Sequence, residues 1–138
     1  QDTQAQLDWL DAKLAASTAE WNIVIGHHPI YTALDNAYGE DHDQPDLIAR
    51  LNPILLKHNV PVYICGHDHC LQAVKMEGIT YVVTGAGSQT YTPGPAIRGG
   101  FASGAHGFMA TRLSGAKLDY ALVDKHGTPL FSQTIQRV

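Results

Sequence analysis

The sequence predicts a layered α/β sandwich that closes with an antiparallel strand meander. Three observations carry this reading. Through the first half, segments with leucines at helical spacing alternate with short β-branched runs. Those runs end at glycine: "WNIVIG", "VPVYICG" and "GITYVVTGAG". The last third reads as three strands separated by brief turn-forming links. Helix–strand alternation favours a sheet with helices packed on it, and a terminal run of strands adds an antiparallel part.

The elements follow in chain order. Thr3 and Gln6 make a capping box ahead of Leu7, Leu10 and Leu14, which predicts a helix over about 3–16 with its leucine stripe on a sheet. Residues 21–26 suit a buried strand, and "HHPIY" follows at its carboxyl end. The polar stretch 32–44 is a loop. Residues 45–59 start at Pro45 and carry Leu47, Ile48, Leu51, Ile54 and Leu55 on one face, a helix that Pro53 must kink or split. Strands are expected at 60–65, where Gly66 permits a sharp turn into His67, and at 78–87. A glycine- and proline-rich loop runs from there to Gly107. Strands at 106–114, 117–124 and 129–135 form the meander, divided at Ser114-Gly115 and at "DKHGTP".

Composition narrows the function classes. The 138 residues are one domain's worth of chain, with 44% apolar and 16% charged residues. A formal charge of −4 gives no footing for nucleic acid or an anionic membrane surface as partner. No apolar run approaches the roughly 20 residues that span a bilayer. The chain starts at Gln1 without methionine, which reads as a processed or truncated piece and makes the lack of a signal peptide uninformative. Cys65 and Cys70 are the only cysteines and leave the redox compartment open.

The eight histidines carry the chemistry. His27 and His28 follow one expected strand, and His67 and His69 follow another. Ligands in open α/β sheets bind beyond the carboxyl ends of strands. Imidazole is the commonest protein ligand for zinc or iron, and His-x-His on a turn aims two of them at one small volume. A hydrated polar turn is the competing reading, and two motifs on one rim weigh against it. Neighbours on an extended segment point opposite ways, so only one of His27 and His28 is expected to face the site. Asp68 is expected to orient the turn through backbone hydrogen bonds, with contact to metal-bound water as the alternative. Cys70 is a soft ligand, a redox liability or a packed, inert thiol. His58, His106 and His126 are assigned no role, and Tyr31 and Tyr91 line either a pocket or the core.

"NIVIGHHPIY", "VYICGHDHCLQ" and "GITYVVTGAGS" together resemble the second half of a calcineurin-like metallophosphoesterase, and most nearly the purple, or tartrate-resistant, acid phosphatases. The resemblance implies a four-layer αββα sandwich of which residues 1–138 are the C-terminal half. It implies a two-metal centre of iron, zinc or manganese, with His27 and His67 on one ion and His69 on the other. His28 is then a supporting residue. The implied reaction is hydrolysis of phosphomonoesters through metal-bound hydroxide, with His42 in "EDHD" as candidate general acid. The family's aspartate and Asn-His motifs do not occur here and would belong to an absent N-terminal half. The isolated piece is therefore expected to be inactive and to pair with that half or with a second copy. A phosphodiesterase or nucleotide hydrolase, and an inactive metal-binding or assembly fragment, are the alternatives. The resemblance also implies a secreted or periplasmic protein.

Overall fold

The computed structural model describes residues 3–34, 43–94 and 99–137. Helix α1 spans Thr3–Ala16, β1 Ile23–Ile25, α2 Pro45–Arg50, α3 Asn52–Lys57, β2 Val62–Cys65, β3 Leu71–Met76, β4 Ile79–Thr84, β5 Phe101–Ser103, β6 Gly107–Ser114, β7 Lys117–Asp124 and β8 Pro129–Gln136. Pro53 divides the second helical stretch, because a proline is tolerated in a first helical turn but not in an interior.

Two sheets result. The larger has the order β1-β2-β4-β3-β5, and the smaller is the expected meander β6-β7-β8. β1, β2 and β4 run parallel, with Ile25 beside Ile64 and Cys65 beside Val83. β3 and β5 join antiparallel to complete the sheet. The sequence pattern shows neither of these two strands. β3 and β4 form a hairpin about Glu77 and Gly78, both at positive φ (51° and 89°), the backbone of a tight two-residue turn that matches strand twist. β5 is a short strand within what reads as loop.

The larger sheet is buried on both faces, and side-chain alternation assigns the faces. Tyr63, Cys65, Val74, Tyr81 and Val83 pack towards the helices with Leu7, Leu51 and Leu55. Val62, Leu71, Ala73 and Val82 pack against Leu118, Tyr120 and Leu122 of the meander. The layers are therefore helices, sheet, sheet. Complete burial of an aliphatic side chain such as Leu55 or Leu122 stabilises by about 1.5–3 kcal/mol each. Asp11 of α1 ties the helical layer together, accepting from Lys57 Nζ at 2.8 Å and meeting His58 Nε2 at 2.5 Å. Trp21 crosses to the meander and donates from Nε1 to the Gly115 carbonyl at 2.8 Å.

β1 is the outermost strand, with β2 as its neighbour on one side. Its Ile23 and Ile25 lie opposite Val62 and Ile64, on the face that meets the meander, yet Ile25 is 74% exposed.

Candidate metal centre

Parallel pairing of β1 with β2 brings both histidine motifs to one rim. Backbone bonds hold the strand exits together: Gly26 N–H donates to Ile64 O at 3.0 Å, and Gly66 N–H donates to His27 O at 3.1 Å. A Cβ at Gly26 would stand 2.0 Å from the Tyr63 hydroxyl and displace it from above this position, where it donates to His28 O at 2.9 Å. After Gly66 the chain turns so sharply that His67 takes a left-handed φ of 62°. That conformation costs an L-residue about 1–2 kcal/mol, a strain found mostly where a side chain must be aimed.

The turn is clamped from below. Gly85 passes so close that a Cβ there would meet the Asp68 carbonyl at 2.1 Å. Buried Asp68 accepts from the Thr32 hydroxyl, and buried Asp43 accepts from Thr32 N–H at 2.9 Å. Gln72, 1% exposed, donates to Tyr31 O at 3.0 Å and accepts from Ala33 N–H. The segment after His27-His28 is thus fastened to the segment after His67-His69 by buried polar bonds. Asp68 serves through its side chain as well as through the turn's backbone, where Cys70 N–H donates to its carbonyl at 2.9 Å.

On this scaffold His27 Nε2 stands 3.2 Å from His67 Nδ1. His28 lies beside both, its ring centroid 4.4 Å from that of His67 and 4.8 Å from that of His27. Ligand atoms of His27, His28 and His67 all fall within 4.8 Å of one another, and all three side chains are exposed. The chain bends at His27 and His28 rather than running extended, so the rule that neighbours face opposite ways does not apply to them. His28 is the member of this cluster that strand-based reasoning misses; its sequence signal is adjacency to Pro29.

His69 is not in this trio. Its ring is half-buried and stacks on Tyr91 at 4.8 Å and 9°. Its Nδ1 is buried without a hydrogen-bond partner among the described residues, a state that favours a cation or other donor nearby. His42 lies outside the described residues. Tyr31 is core, edge-on to Tyr81 at 5.0 Å. Cys65 and Cys70 are buried free thiols. Burial first, and then the Asp68 carboxylate, push the Cys70 thiol up to about 12, so it behaves as packing rather than as a ready thiolate. His58 pairs with Asp11, and His106 Nε2 meets Ser88 O at 2.7 Å; neither belongs to the trio.

The donor set fits a borderline first-row cation. Neutral imidazoles suit zinc, iron and their neighbours, and the 3.2 Å nitrogen pair is near the ~3.3 Å edge of a tetrahedron with zinc–nitrogen bonds of about 2.0 Å. Among the described residues the cluster consists of imidazoles alone.

Known proteins resemble this chain in sequence and in fold. The profile of the calcineurin-like phosphoesterase family matches residues 1–71. Human tartrate-resistant acid phosphatase type 5 is 30% identical over 145 residues, covering 97% of this chain and 43% of that protein. Purple acid phosphatase 7 of Arabidopsis thaliana is 31% identical over 133 residues, covering 93% of this chain and 39% of its own. The purple acid phosphatase of yellow lupin seeds superposes with a TM-score of 0.84 at 18% identity, over 99% of this chain and 29% of that one. The anchor in the inner membrane complex of Plasmodium gives 0.87 at 23%, over 98% and 43%. Those two likenesses establish the fold. The chain spans less than half the length of these relatives. With the profile covering half the chain and both histidine motifs on one rim, the chain belongs to the calcineurin-like phosphoesterase family.

Proposed function

We propose that the complete protein is a metal-dependent phosphatase that hydrolyses phosphomonoesters at a two-metal centre, to which this chain contributes the histidine side. One observation carries the reading: the His27 and His67 imidazoles meet at 3.2 Å on the carboxyl ends of adjacent parallel strands. His27 and His67 would hold one cation, and His69, with its buried Nδ1, would serve the other. Zinc, iron and manganese all suit the donors. Bound cations would supply Lewis acidity towards phosphoryl oxygens and activation of the attacking water. The chain's own part is to hold imidazoles in place through the Thr32–Asp68 and Gln72 bonds, and His42 is the proposed proton donor to the leaving group.

In this proposal residues 1–138 form the C-terminal half of the domain, and the remainder contributes the carboxylates that a pair of cations requires. The exposed Ile23 and Ile25, beside a sheet edge that no described strand covers, support association with that remainder or with a second copy. A secreted or periplasmic location belongs to the same reading.

The test is hydrolysis of p-nitrophenyl phosphate by the longer protein and by residues 1–138, each with added zinc, iron or manganese. Turnover by the longer protein alone, lost by orders of magnitude in His67→Ala at saturating metal, is the expected result. Metal-independent turnover, or unchanged turnover in His67→Ala, would overturn the proposal. Light scattering on residues 1–138 reads the association part, which a stable monomer would refute.

A further inference from the structure

We infer that His28 is a metal ligand, and that His27, His28 and His67 form a three-imidazole site that this chain can load with one divalent cation by itself. The inference deepens the reading of this rim as a metal centre and rests on it. The ligand set implied by the family motifs skips His28 and divides the remaining histidines between two ions. The geometry groups them differently.

Three features select this trio. First, its nitrogens lie within 4.8 Å of one another, and one pair already stands at 3.2 Å, so small side-chain rotations complete three corners of a tetrahedron. Second, the backbone under each corner is fixed. Tyr63 holds the His28 carbonyl at 2.9 Å, Gly66 holds the His27 carbonyl at 3.1 Å, and Gly85 supports the turn that aims His67. Pro29, directly after His28, restricts that residue's backbone further. Third, all three rings are exposed, so a cation reaches them without opening the core. His69 is set apart by its stacking on Tyr91.

Three neutral imidazoles and one open position is the ligand count of catalytic rather than structural zinc. The ligand class is thus a borderline divalent ion such as zinc or cobalt, and the open position would accept an oxygen of water or of a phosphate ester. Loading by this trio needs no carboxylate, since a single ion lacks the like-charge neighbour that a two-metal centre must neutralise.

Cobalt titration of purified residues 1–138 tests this, read by the visible absorption of tetrahedral cobalt and by stoichiometry. The expected result is one ion per chain, with affinity at least tenfold weaker in His28→Ala and a smaller loss in His69→Ala. His126→Ala, a histidine outside the trio, serves as control, and circular dichroism checks that each variant keeps its fold. Ring-nitrogen NMR shifts on adding zinc give a second, direct readout and should move at His27, His28 and His67 together. Unchanged affinity in His28→Ala, zinc shifts confined to the other histidines, or no cobalt bound by a folded wild-type chain would each overturn the inference. None of these outcomes touches the phosphatase reading, which stands or falls on turnover by the longer protein.

Discussion

Replacing Gln72 by leucine is expected to destabilise the chain by about 2–3 kcal/mol and to loosen the metal rim. The side chain is buried between the sheet and the 31–33 segment, donating to Tyr31 O at 3.0 Å and accepting from Ala33 N–H. Leucine matches its size and offers neither group. Two buried backbone groups then lose their side-chain partner, at about 2 kcal/mol each, the middle of the usual range. Removing the amide's own desolvation and adding apolar surface return roughly 1–2 kcal/mol in total. Urea unfolding followed by the fluorescence of Trp9 and Trp21 measures the difference, provided the denaturant slope is unchanged. Cation affinity should fall with it, because residues 31–33 continue the segment that carries His27 and His28. A loss below about 0.5 kcal/mol, the range of ordinary surface substitutions, would refute the argument by showing that these backbone groups find other partners.

Further outcomes follow from neighbouring geometry. Gly85→Ala drives a Cβ against the Asp68 carbonyl and should cost about 1–3 kcal/mol while weakening cation binding, measured by the same urea and cobalt titrations. Lys57, and then His58, hold the Asp11 carboxyl below its ordinary 3.8, so its contribution is complete above that value and disappears as pH falls through the lower folded value. Asp11→Asn should therefore flatten the acid limb of the stability curve, and an unaltered limb would remove Asp11 from the account. Native Cys65 and Cys70 should resist iodoacetamide at mildly alkaline pH and both react in urea, as counted by mass spectrometry.

Much of the fold is legible in the sequence because local rules and tertiary packing coincide there. The leucine spacing of α1, the break at Pro53 and the turns of the meander each have a local cause. β3 has none of comparable strength. Leu71 and Ala73 face one layer while Gln72 and Val74 face the other, so a strand covered on both sides loses its alternation. Gln72 further disguises it, since a polar residue is placed there for two backbone groups forty positions away in sequence. The Glu77-Gly78 turn is the one local mark of the hairpin. The site divides similarly. The motif spacing shows which strands end in histidines, and parallel pairing brings those ends together. The grouping of His28 with His27 depends on a bend after β1, which no periodicity encodes.

The position of β1 at the sheet edge carries a thermodynamic consequence. Its backbone is secured by β2 alone among the described strands, and the last registered pair is Ile25 with Ile64. An ion gripped by His27 and His67 fastens the two strands just past that pair, acting as a removable crosslink on an element prone to fray. Any strand that docks along the outer side of β1 suppresses the same fraying. Linkage then makes the effects reciprocal: the docked strand raises affinity for the ion by the factor by which the ion raises affinity for the strand. If the rim binds an ion, chelation would weaken docking of such a strand by that same factor.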